Sequence, residues 1–68
     1  MPTVDARGLS CPEPVLRTRR AMDAGDSPIS VLVDTVTQRE NVRRAAEAAG
    51  CKVETAKTDD EFTLTLTR

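Results

Sequence analysis

The apolar and polar positions of the chain divide into six short runs of two kinds. Ile29-Ser30-Val31-Leu32-Val33 is a nearly continuous apolar, β-rich stretch of the sort found in buried central strands. Phe62, Leu64 and Leu66 alternate with Thr63, Thr65 and Thr67, which predicts a strand with one buried face. Residues 51–57 supply a partner strand, joined to it through Thr58-Asp59-Asp60. A fourth strand spans residues 3–6 and is closed by Arg7-Gly8, where glycine permits a turn that other residues resist. The helical period appears twice. Val15, Thr18 and Met22 form one stripe of a helix over residues 12–24 that Gly25 ends. Val42, Ala45, Ala46 and Ala49 form the stripe of a second helix. Thr37-Gln38-Arg39-Glu40 has the form of a capping box at its start, and Gly50 stands where a left-handed C-cap residue belongs.

The order is therefore β-α-β-α-β-β. The fold class predicted is α/β (α+β): a two-layer sandwich in which two helices cover one face of a mixed four-stranded sheet. The first three strands, joined by helical crossovers, should run parallel, and the hairpin turns the last one antiparallel. Residues 1–68 make one domain, without internal repeat or linker.

Composition narrows the chemistry. With 38% hydrophobic residues and Phe62 the single aromatic, the core must be aliphatic. There is no histidine, which excludes enzymes that need a histidine base. Ten Lys and Arg against eleven Asp and Glu leave no bulk attraction to nucleic acid or anionic membrane. Apolar runs of a few residues form neither a signal peptide nor a membrane span, so a cytoplasmic address with reduced thiols is expected.

The chemistry is expected at Cys11. It follows the loop Arg7-Gly8-Leu9-Ser10 and precedes Pro12-Glu13-Pro14, so proline pushes it towards the extended backbone of an N-cap, with Pro12 at the first helical position. Pro12 and Pro14 carry no N–H, which leaves the Glu13 amide as the main first-turn donor able to reach the sulfur. That donor and the positive helix end favour thiolate, with Arg7 adding positive potential. Glu13 opposes ionisation, but Arg17 at i+4 can pair with it. The bland alternative is a small buried hydrophobe, and a Gly-containing loop running into a Pro-led helix makes it the poorer reading.

Cys51 is read the opposite way. It follows Gly50 and opens a strand in phase with Val53, so it belongs with the core. A dithiol redox site would want its second cysteine at position 14, which is proline, and two cysteines without histidine do not make the usual zinc set; no metal or cofactor is expected. Leu16 falls off the buried stripe one turn from Cys11, either as a docking surface or as an ordinary exposed leucine. Arg17, Arg19 and Arg20 with Arg39, Arg43 and Arg44 form either a basic rim or solvated faces held in pairs such as Glu40/Arg44 and Arg43/Glu47.

Over Asp5-Ala6-Arg7-Gly8-Leu9-Ser10-Cys11-Pro12-Glu13-Pro14-Val15-Leu16 the sequence resembles the TusA/SirA/YedF family of small sulfur-carrier proteins with a Cys-Pro-X-Pro motif. Glu40-Asn41-Val42, Gly50 and Glu61-Phe62-Thr63-Leu64-Thr65-Leu66 look closer to the YedF branch. The resemblance implies a βαβαββ sandwich and a Cys11 that takes sulfur as a persulfide from a cysteine desulfurase or rhodanese and passes it to an acceptor protein, a sulfurtransferase-type relay. By position it implies that Pro12 and Pro14 shape the helix start, with Arg7 and Gly8 in the supporting loop, and that Glu13, Leu16, Arg17 and Arg20 lie near a partner interface. TusA-like relays lead to tRNA thiolation, and YedF-like proteins are associated with selenium metabolism. YedF-like proteins are often followed by a DsrE-like domain, so the chain is read either as a whole protein or as the N-terminal part of a longer one. The alternative function is a non-catalytic interaction module, regulatory in selenium metabolism, that docks a partner or such a domain through the Cys11 helix tip and Leu16.

Overall fold

A computed structural model describes residues 3–10, 12–25 and 27–68. The elements are β1 (Thr3–Asp5), α1 (Glu13–Asp23), β2 (Ile29–Val33), α2 (Val36–Ala48), β3 (Lys52–Thr58) and β4 (Glu61–Thr67). The sheet order is β1-β2-β4-β3. β1 and β2 are parallel, with Val4 opposite Val31. β4 lies antiparallel between β2 and β3, placing Val31 opposite Leu64 and Thr55 opposite Leu64 on its two sides. The first three strands therefore share one direction, as their crossovers require, but β3 is separated from β2 by the returning strand. The insertion makes β4, with Phe62, Leu64 and Leu66 buried, a central strand and leaves the largely exposed β3 at the edge.

The core lies between sheet and helices. Ile29, Val31 and Val33 of β2 with Phe62, Leu64 and Leu66 of β4 face Met22 of α1 and Val42 and Ala46 of α2, all buried. Burial of each large aliphatic side chain stabilises the fold by about 1.5–3 kcal/mol. Alanine at position 46 suits the close approach of α2 to the sheet. Cys51 is buried as expected, its Sγ 3.6 Å from Sδ of Met22, so it is part of the packing. Phe62 is buried too, with the Arg39 guanidinium 4.8 Å from its ring centroid.

The helix ends show where local chemistry departs from the sequence expectation. α2 is capped by Thr35, not Thr37: Thr35 is extended (φ −133°, ψ 154°) and its side chain accepts the Gln38 N–H at 3.1 Å. The helix starts two residues early because Thr35 directly follows Asp34 at the end of β2, and Thr35-Val36-Thr37-Gln38 has the same S/T-x-x-E/Q form as the predicted box. Glu40, freed from that box, pairs with Arg43 at 2.7 Å and Arg39 at 3.4 Å rather than with Arg44. Arg43 also meets Glu47 at 2.8 Å, as the i,i+4 spacing predicts. At the far end Gly50 (φ 89°) donates to the Glu47 carbonyl and Cys51 to the Ala46 carbonyl, a Schellman cap. No helix among the described residues is long and apolar enough to cross a membrane.

Candidate functional site

β1 and β2 run the same way and each feeds a helix, so both helix N-termini emerge at one edge of the sheet. Residues 6–10, which follow β1, lie against that edge, Ala6 bonded to Leu32 and Gly8 to Asp34. Cys11 itself lies outside the described residues, as does Asp26 of the predicted turn. The residues flanking Cys11, Ser10 and Pro12, are exposed.

The start of α1 differs by one residue from the expectation. Pro12 (φ −98°, ψ 14°) occupies the N-cap position, Glu13 begins the helix and Pro14 is its second residue. The first helical bond runs from the Leu16 N–H to the Pro12 carbonyl at 3.0 Å. Cys11 is therefore not the cap residue. The Glu13 N–H, expected to serve the sulfur, donates instead to the Ser10 carbonyl at 2.9 Å, closing a turn across position 11. Two prolines make this outcome natural: with no N–H at 12 or 14, the one donor between them is drawn into the nearest backbone acceptor.

α1 is two-faced. Pro14, Thr18 and Met22 are buried, the Thr18 hydroxyl donating to the Pro14 carbonyl at 2.8 Å, while Val15 is only partly buried against the core. The buried stripe thus begins at Pro14 rather than Val15. Glu13, Leu16, Arg17 and Arg20 are all exposed, at i, i+3, i+4 and i+7, so the residues the resemblance places at a partner interface do form one continuous face. Leu16 is 40% exposed, and Glu13 and Arg17 lie 3.8 Å apart, a solvent-facing pair of small energetic weight. A second exposed hydrophobe was not anticipated: Val36, 56% exposed, is the first residue of α2 and stands at the same sheet edge. Its only sequence signal was its place beside Thr35, which the expected later helix start concealed.

Arg7 supports the loop without lending it free charge. Its guanidinium meets the Asp5 carboxylate at 2.9 Å and Glu61 at 3.0 Å, tying the end of β1 to the start of β4. Hydrogen bonds from the Arg7 side chain and backbone hold the Asp5 carboxyl down from 3.8 to about 2. The Arg7 pKa is raised by the Asp5 and Glu61 hydrogen bonds in turn. Two carboxylates balance this one cation, so Arg7 brings no uncompensated charge to the loop. Gly8 (φ 74°) makes the left-handed turn that the sequence reserved for it, and its N–H donates to Oδ2 of Asp34 at 2.9 Å. The next residue is also held: Nε2 of Gln38 donates to the Leu9 carbonyl.

The sequence model of the family described as sulfurtransferase TusA matches residues 2–68. The crystal structure of a SirA-like protein from Desulfitobacterium hafniense is similar with a TM-score of 0.88 and 32% identity, covering 98% of this chain and 96% of that one. No curated protein sequence matches the chain.

Proposed function

Since this chain belongs to the TusA family of sulfurtransferases, we propose that it carries sulfur on Cys11 as a persulfide, between a donor protein and an acceptor protein. The Cys11 thiolate attacks the terminal sulfur of a donor persulfide. A bond forms between Cys11 Sγ and that sulfur, the donor's S–S bond breaks, and the donor cysteine leaves as thiolate. Release reverses the roles: an acceptor thiolate attacks the outer sulfur and Cys11 departs as thiolate. No net oxidation occurs in either step. A cysteine desulfurase or a rhodanese-type protein is the donor class.

The observation that carries this reading is the exposed face of Glu13, Leu16, Arg17 and Arg20, which begins two residues after Cys11. Two protein thiols must meet in line, and a face of this kind beside the thiol gives a partner somewhere to rest. Exchange in both directions suits a thiolate that is only moderately stabilised, which the missing N–H groups of Pro12 and Pro14 favour. Glu40-Asn41-Val42 and the closing β4 segment, with their YedF-like character, make selenium the second cargo to test.

A pulse–chase experiment tests the proposal. Protein incubated with a desulfurase and isotope-labelled cysteine should gain label that is lost on addition of an acceptor thiol protein. Cys11→Ser should gain none, and Cys51→Ser should behave as the wild type. Labelling of Cys11→Ser, or label that no acceptor thiol can remove, would leave the interaction-module reading in its place.

A further inference from the structure

Two consecutive residues of the loop before Cys11 are gripped by the junction between β2 and α2. Asp34, directly after β2, accepts the Gly8 N–H at 2.9 Å. Gln38, in the first turn of α2, donates through Nε2 to the Leu9 carbonyl. Gln38 is only 7% exposed, and its Oε1 is buried without a hydrogen-bond partner. A buried amide with one end unsatisfied is a poor device for stability, since an apolar side chain of the same shape avoids the desolvation cost. Nor is the amide used in the capping box, where it would return to the cap residue's own backbone. What it does accomplish is to fix the peptide unit two residues before Cys11.

We propose that Asp34 and Gln38 are positioning residues, a two-point clamp on Gly8 and Leu9 that sets how Cys11 is presented to a protein donor. The inference rests on the carrier role given to Cys11 above and adds residues from a different element to it. Their effect is exerted through the loop backbone. Asp34 directly follows the buried strand β2 and Gln38 is itself buried, so the loop takes its geometry from these elements rather than from its own exposed residues.

Gln38→Met keeps the shape of the side chain and removes both polar ends. Its thermal midpoint should not fall, whereas amide exchange at Gly8 should quicken about tenfold and single-turnover loading of Cys11 by a desulfurase should slow about tenfold. Asp34→Ala should lose the same protection and the same loading rate, and Asp34→Asn, which keeps an acceptor oxygen, should restore both. Wild-type Gly8 exchange and loading in Gln38→Met would overturn the clamp, as would a lowered midpoint with unchanged loading, which would mark Gln38 as structural only. If the wild type never loads, the carrier role fails while Gly8 exchange still reads the clamp, so the two failures are told apart.

Discussion

The backbone N–H of Glu13 donates to the carbonyl of Ser10 at 2.9 Å, across the position of Cys11. The one first-turn amide between the two prolines is therefore spent on the backbone, and the cation of Arg7 is matched by Asp5 and Glu61. Neither of these two groups, which the sequence offers to the thiol, is without a partner of its own.

Acid stability should report the arginine-held carboxylates. Hydrogen bonds from Arg7 hold Asp5 at about 2, and those from Arg43, with Arg39 adding, hold Glu40 at about 2. A depressed carboxyl stabilises the fold above its unfolded value of about 4 and loses that contribution as pH falls through the folded value. Urea midpoints should thus change little between pH 7 and 5 on account of these groups and decline between about pH 4.5 and 2. The decline should be shallower in Arg7→Gln and Arg43→Gln; equal slopes in wild type and both variants would contradict it.

Capping offers a choice between two threonines. Thr35→Ala removes the acceptor of the Gln38 N–H and should cost about 1 kcal/mol in urea unfolding. Thr37→Ala, at an exposed helical position, should stay within about 0.5 kcal/mol of the wild type. The reverse order would restore the later helix start.

Leu16→Asp should separate docking from folding. Leu16 is exposed, so the change should cost less than about 0.5 kcal/mol, yet sulfur loading by a protein donor should fall several-fold while iodoacetamide alkylation of Cys11 is unaltered. Unchanged loading would remove α1 from the partner interface.

Most of the fold was legible because period and punctuation agreed. The apolar run of β2, the threonine-alternating β4 and Gly50 each gave one reading, and both strands ended where the pattern placed them, whereas of the predicted α2 stripe Val42 and Ala46 are buried, Ala45 is partly so and Ala49 is an exposed C-cap. What escaped was competition between neighbours of equal chemistry. Thr35 and Thr37 both head a sequence of capping form, and only the end of β2 decides between them. Pro12 fits either the cap or the first turn, and the turn from Ser10 to Glu13 selects the cap. Arg7 looked like a free cation because Glu61, 54 residues away, is brought beside it only by the insertion of β4 next to β2. Leu16, Arg17 and Arg20 fell off the buried stripe of α1 by helical spacing, and Glu13 joined them through the family resemblance. Gln38 gave no local signal of its reach to Leu9, which is a tertiary contact between loop and helix.

The most direct measurement is peptide-resolved mass spectrometry of protein incubated with a cysteine desulfurase and cysteine, then trapped with an alkylating reagent. The account predicts one extra sulfur atom on the peptide of residues 8–17, none on the Cys51 peptide of residues 45–52, and none anywhere in Cys11→Ser. Extra sulfur on the Cys51 peptide, or an unmodified 8–17 peptide with both desulfurase and rhodanese donors, would contradict it.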